Sequence, residues 1–230
     1  MALHPNGVNH LAISTRDIKA QIEFFTDVLG AELKALYWMH GVDNTFHGFV
    51  ELSPECYVAF VQHPDNPDTL ELGVTHAGNA GGPVAAGAMQ HVAFNVNSLD
   101  DLLALRDRIR SRGVPVIGPI DHGLCQSMYF AGPEGLSLEV ACGGAIDGQA
   151  WVDPEVVALV GISAEELERY RRPAAYERPA QPVPQPALDW SKPQLAYPEG
   201  RLERILAVPD EAFWHSVTNV APVPAAEAAG

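Results

Sequence analysis

The stretch VNHLAIST, Val8 to Thr15, has a counterpart eighty or so residues later in MQHVAFNV, Met89 to Val96. Each places a histidine third, ahead of a run of small and apolar residues. Short apolar runs rich in β-formers read as strands. Two strands that open alike point to a chain built by duplication, and the flanking sequence tests that expectation.

After the first strand, Thr15 or Asp17 can cap a helix over 18–29, where Ile18, Ile22, Phe25 and Val28 recur at helical spacing and Gly30 ends the run. Segments 32–38, 46–52 and 57–62 read as three further strands, with SPEC as a turn between the last two. The order is βαβββ. The second half repeats it. A strand over 90–96 precedes a helix over 99–112 capped by Ser98 and stopped by Gly113, and strands follow over 114–117, 126–130 and 136–141. Written beneath each other, SPECYVAF (53–60) and GPEGLSLE (132–139) lie in register, which pairs Phe60 with Glu139. The repeat period is about 80 residues. The expected fold is α+β: two tandem βαβββ modules, 7–63 and 88–143, forming one curved mixed sheet around a metal site. A Gly/Ala-rich connecting loop spans 64–87 and reads as flexible. A helical and proline-rich C-terminal extension spans 150–230.

Within the extension, Asp153-Pro154 is a good N-cap and first-turn pair, and Ser163 with Glu166 has capping-box spacing. Prolines crowd 173–198 and keep that segment extended. It reads either as a linker or as an arm that wraps its own domain or a dimer partner. Trp190, Tyr197, Phe213 and Trp214 favour docking, because disordered tails are poor in aromatics.

The formal net charge of −15 repels polyanions, which argues against nucleic acid as a partner. No apolar run is long enough to span a bilayer, and MALHPNG lacks the marks of a secretory signal. Cys56, Cys125 and Cys142 are odd in number and show no CxxC spacing, so neither a disulfide framework nor a cysteine-type zinc site is expected. The expectation is a cytoplasmic protein.

His10 and His91 hold the same place in their repeats. If the modules face each other about a pseudo-twofold axis, both imidazoles enter one concavity. Glu139 alternates with Leu138 and Val140 on the last strand, and a carboxylate on such a strand is costly to bury unless a partner or cation offsets it. Two imidazoles and one carboxylate form the facial triad that suits non-heme Fe(II) or Mn(II) and leaves positions open for substrate and oxygen. Each histidine, taken alone, also has a plainer reading as a core residue satisfied by hydrogen bonds. His40, His47 and His63 lie on or near first-module strands and read equally as pocket-lining or surface residues.

The duplicated modules, together with VNHLAISTRDIKAQIEFFTDVLGAEL and MQHVAFNV, resemble the vicinal oxygen chelate superfamily over roughly residues 7–143. This superfamily includes glyoxalase I, bleomycin-resistance proteins, methylmalonyl-CoA epimerase and type I extradiol dioxygenases. IDHGLCQSMYFAGPEGLSLE further resembles the extradiol dioxygenase signature through His122, Met128-Tyr129, Pro133 to Gly135, and Glu139. Gly132 departs from the residues usual before that proline, and this chain has two modules where many such dioxygenases have four. The resemblance implies Fe(II) held by His10, His91 and Glu139, a catechol-like diol chelating it, and O₂ as co-substrate. It implies Tyr129 hydrogen-bonded to a substrate oxygen and His122 as acid/base. Read without the resemblance, His122 is equally a surface-turn histidine and Tyr129 a packing residue.

Two rival functions follow from the same superfamily. A lyase or isomerase of the glyoxalase or epimerase kind needs a carboxylate base, and the glyoxalase position falls near Phe60, which offers none. A metal-free binding protein that sequesters a drug needs no ligands, so His10, His91 and Glu139 together argue against it. A homo-oligomer is expected, with the C-terminal arm as one means of forming it.

Overall fold

The computed structural model describes residues 3–216 and 220–223. The first module comprises β1 (His10–Ser14), α1 (Ile18–Glu23), β2 (Glu32–Trp38), β3 (Phe46–Ser53) and β4 (Cys56–Gln62). The second comprises β5 (Val92–Asn95), α2 (Leu99–Ser111), β6 (Ile117–Asp121), β7 (Gln126–Ala131) and β8 (Ser137–Cys142). Their sheets have the same order, β1-β4-β3-β2 and β5-β8-β7-β6, with the first strand parallel to the last and the other pairs antiparallel. The α+β class and the tandem βαβββ arrangement are as expected. The single curved sheet is not: the hydrogen-bonded ladders form two separate four-stranded sheets, and β1 and β5 are edge strands.

Asp17 caps α1 by accepting from Ala20 N at 2.9 Å. The helix then widens into a π-helical turn over Phe24–Val28, where the Thr26 hydroxyl donates to Ile22 O at 2.8 Å. Phe25, on this turn, is fully buried and meets Phe60 of β4 at 5.1 Å and Phe94 of β5 at 6.0 Å, both edge to face. One ring thus joins both modules in one core, with Leu102, Ile109, Met128 and Leu138 around it. Arg108 of α2 fastens the same region, donating to Val28 O at 3.0 Å and Asp27 O at 2.8 Å. The guanidinium lies 3.0 Å from where a side chain at residue 30 would begin. With φ of +85° there as well, Gly30 is required for that contact.

Strand alternation sorts the residues. Leu11 and Ile13 of β1 and Phe94 of β5 pack into the core, while His10, Ala12, Ala93 and Asn95 lie on the opposite, outer faces. Register corrects one sequence pairing. Ala12 pairs with Ala59 and Ala93 pairs with Glu139, so the counterpart of Glu139 is Ala59. Phe60 points into the core. The β7–β8 connection is longer than the two-residue β3–β4 turn, and a one-residue slip moves every side chain to the other face.

The sixth strand also differs. Pro115 and Pro119 lack N–H donors, so pairing begins at Ile117 rather than at Val114, with a register shift between Ile117 and Ile120. As the outermost strand, β6 tolerates the proline.

Pro5–Met39 and Asn44–Arg171 form one compact unit, which includes α3 (Pro154–Leu159) and α4 (Ala164–Arg171). Asp153 caps α3 and Ser163 with Glu166 forms the capping box of α4, as their spacing predicts. Arg172 onward belongs to a second unit. Helices and strands are absent from its described residues up to Gly200, after which α5 (Arg201–Leu206) and α6 (Asp210–Ser216) form. Helix α5, short and directly after Pro198, carries no periodic signal that would have revealed it.

Candidate metal centre

Glu139 is the third residue of β8, a central strand hydrogen-bonded to β5 and β7. It is 5% exposed. Its Oε2 lies 2.9 Å from Nε2 of His91, which stands just before β5. On the other side, Tyr129 of β7 is directly opposite Glu139. The Tyr129 hydroxyl lies 2.9 Å from Nε2 of His122, in the β6–β7 turn. Burial, and secondly the Glu139 carboxylate, push the Tyr129 phenol above its ordinary pKa, with the Ser127 hydroxyl acting in the opposite sense. Tyr129 is therefore a neutral donor near pH 7. The row His91–Glu139–Tyr129–His122 crosses the outer face of the second sheet, and four of the five expected site residues are contiguous there.

His10 stands elsewhere. Its Nδ1 is 2.8 Å from Asn9 Oδ1 and its ring is 5.6 Å from Phe49, on the outer face of the first sheet. Phe49 is also close to His47 at 4.5 Å, to Tyr57 at 6.2 Å and to Tyr37, stacked at 6.3 Å. Burial, and secondly the neighbouring His10, hold His47 below the ordinary imidazole pKa. Its Nδ1 is 3.3 Å from the Tyr37 hydroxyl, and its buried Nε2 has no partner. Among the described residues, no group of three or more His, Cys, Asp or Glu side chains stands close enough to hold a metal ion. One chain therefore brings together two of the three expected ligands.

That pair suits a divalent cation. Ligand bonds of about 2.0–2.2 Å at a right angle set two donor atoms about 3 Å apart, and the observed separation is 2.9 Å. One donor is an imidazole nitrogen and the other a buried carboxylate oxygen, the mixed set that suits Fe(II) and Mn(II).

Sequence reasoning passed over two contributors. Gln90 touches His91 Nδ1 through its Oε1 and anchors its own amide on the connecting loop. The amide residue before each histidine, Asn9 and Gln90, is the signal that was there to read. Trp151 is the other. Its indole edge lies 3.0 Å from where a side chain at Gly123 would begin, beside His122, and Gly123 has φ of +78°. The Trp151 backbone N–H donates to Asp147 O at 3.0 Å, closing a local turn around this residue.

Paired βαβββ modules with an acid–imidazole pair on one outer sheet face define a duplicated scaffold of the kind the family comparison describes. The sequence profile of the Glyoxalase/Bleomycin resistance protein/Dioxygenase superfamily matches residues 7–140, and the chain belongs to that superfamily. Biphenyl-2,3-diol 1,2-dioxygenase 2 of Rhodococcus globerulus is 28% identical over 131 residues, 57% of this chain and 60% of the relative. This chain thus spans well under two thirds of that protein's length. Ethylmalonyl-CoA/methylmalonyl-CoA epimerase of Cereibacter sphaeroides is 29% identical over 118 residues, 48% of this chain and 74% of the relative. A glyoxylase/bleomycin resistance protein/dioxygenase domain from Frankia sp. EAN1pec superposes with a TM-score of 0.50 at 18% identity, covering 61% of this chain and all of that one. No helix among the described residues is long and apolar enough to cross a membrane.

Proposed function

We propose that the chain is an Fe(II)-dependent extradiol dioxygenase that opens the ring of a catechol-like diol. The observation that carries this reading is the His91–Glu139 pair at 2.9 Å beside the Tyr129–His122 pair. The similarity to a biphenyl-diol dioxygenase supports it. His91 and Glu139 would hold the ion, with Mn(II) as the alternative metal. Such an ion supplies adjacent binding positions for a diol and for O₂ and the redox capacity to couple them.

The protein's own groups do the rest. Tyr129, kept protonated, accepts from a substrate hydroxyl and donates to His122 Nε2. His122 takes up the proton passed along this hydrogen bond and returns it by the same route when the ring opens. Net, the diol and one O₂ give a ring-opened product containing both oxygen atoms. The C–C bond between one diol carbon and its non-hydroxylated ring neighbour breaks, and those two carbons are oxidised, to a carboxylate and a carbonyl, as O₂ is reduced.

His10 is the remaining ligand in this reading. It holds in the first module the position His91 holds in the second, with the same amide neighbour. Since it stands apart from His91 and Glu139 within one chain, the third ligand would be His10 of the partner subunit in a homodimer.

Anaerobic loading with Fe(II), followed by O₂ uptake on a panel of catechols, tests the activity. Uptake matched by a yellow ring-fission product is expected, and absence of uptake with every diol by a loaded chain sinks it. The shared site has its own test. His10→Ala and His91→Ala are each expected to lose activity, and unfolding and refolding them as a mixture to recover part of it.

The epimerase likeness supports a second reading, a metal-dependent isomerase. Ala59, at the position symmetric with Glu139, supplies no carboxylate there, and Glu51 on the same face is held by Lys34 at 2.8 Å, which favours the dioxygenase.

A further inference from the structure

Gln90 sits between His91 and the connecting loop. Its Nε2 donates towards three backbone carbonyls, Asn79 O at 3.1 Å, Ala80 O at 2.8 Å and Gly82 O at 3.1 Å. Three acceptors around one atom require that atom to be the amide nitrogen, which settles the orientation of the side chain. Gln90 Oε1 is then the atom facing His91 Nδ1, an acceptor that calls for the imidazole hydrogen to sit on Nδ1. A neutral imidazole carries a single N–H. With that hydrogen on Nδ1, Nε2 is a bare lone pair aimed at Glu139 Oε2, 2.9 Å away. Two acceptors at that distance repel each other unless a positive charge lies between them.

We propose that Gln90 is a positioning residue. It locks His91 in the Nδ1–H tautomer, so that Nε2 and Glu139 together present a lone-pair pair to a divalent cation. The loop at 79–82 is the other half of the device, because its carbonyls decide which end of the amide faces the imidazole. This rests on reading His91 and Glu139 as ligands. The first module repeats the arrangement, with Asn9 Oδ1 2.8 Å from His10 Nδ1. The two octapeptides therefore share an amide–histidine dipeptide because each imidazole needs its hydrogen kept on the far nitrogen.

Without Gln90, the favourable tautomer is the other one. Nε2–H donates to Glu139, and the lone pair needed by the cation is lost to an internal hydrogen bond. Two variants separate this from packing. Gln90→Met keeps length and apolar volume and removes both amide functions. Gln90→Asn keeps both amide functions, in the form that Asn9 gives His10 in the first module.

The test uses the full metal-free chain labelled with ¹⁵N-histidine, at a pH above the imidazole range, where two-bond ¹⁵N–¹H correlations distinguish the tautomers. The wild type and Gln90→Asn are expected to show His91 as Nδ1–H, and Gln90→Met as Nε2–H. Calorimetric titration with Mn(II), an oxidation-stable probe, should then show affinity about 10- to 100-fold lower for Gln90→Met, and within a few-fold of wild type for Gln90→Asn. A folded Gln90→Met chain that keeps the Nδ1–H tautomer overturns the proposal, whatever its metal affinity. The ligand reading fails separately: Mn(II) affinity unchanged in Glu139→Ala removes it while leaving the tautomer result intact.

Discussion

The outer faces of the two sheets share a backbone and differ in chemistry. On the second, the central position is Glu139, flanked by Tyr129 and preceded by His91. On the first, the same positions hold Ala59, Phe49 and His10. One face carries charge, hydroxyl and imidazole. The other is an aromatic shelf of Tyr37, Phe49 and Tyr57 carrying His10 and His47, and its neighbouring acid, Glu51, is half-buried and paired with Lys34 at 2.8 Å. Duplication supplied two equal frames, and specialisation concentrated the acid on one. A buried carboxylate is costly without a compensating charge, so a chain that needs one such group does better to carry it once.

The largest effect that could break this comparison is removal of the acid. Glu139→Ala should lower Mn(II) affinity more than 100-fold by calorimetry while leaving the fold intact, since a small apolar residue at that position is what Ala59 already is. Next is the shared core: Phe25→Ala should cost about 3–5 kcal/mol in denaturant unfolding, as one coincident transition of both modules. Two separate transitions would show that the modules fold independently. Tyr129→Phe converts the second face towards the first and should slow catechol turnover about 100-fold through loss of proton transfer, with metal affinity unchanged.

Ala59→Glu is the reverse experiment. The new carboxylate beside His10 should lower the melting temperature without metal and recover part of the loss when Mn(II) is added.

The smallest effect concerns Glu134. Burial alone would push this carboxylate's pKa up. Hydrogen bonds from the Thr15 hydroxyl at 2.5 Å, Arg16 N–H at 2.8 Å and Gln21 at 2.9 Å outweigh it and set the pKa below the ordinary value. A carboxylate depressed in the folded state contributes stability that is fully present above its unfolded pKa and lost as pH falls through the folded one. Glu134→Gln should remove that acid-side loss, worth up to about 1 kcal/mol for a group this exposed, read from unfolding at pH 6 against pH 3.

Much of this architecture was legible because strand alternation and helix caps are local. Asp17, Ser98, Asp153 and Ser163 cap where their spacing says they should. The misreadings come from quantities that no short window contains. The length of the β7–β8 connection moved the partner of Glu139 from Phe60 to Ala59. Pro115 and Pro119 delayed β6, because a strand on the rim pairs only where N–H groups remain. The separation of His10 from His91 depends on how two sheets are disposed, which the residues of neither strand encode. Gln90 is different: its amide stood beside His91 in the opening stretch, and only the carbonyls of a loop read as a flexible spacer reveal which way it turns.

The ring of Phe25, wedged between Phe60 and Phe94, and Arg108, bonded to the carbonyls that end the first helix, make the doubling hard to undo. Cut between the copies, the first would keep a phenyl group with half its neighbours, and the second a guanidinium with nothing to hold. An ancestral single copy must have closed that gap by other means, such as self-association, and a present-day half-gene should encode a chain that aggregates rather than folds.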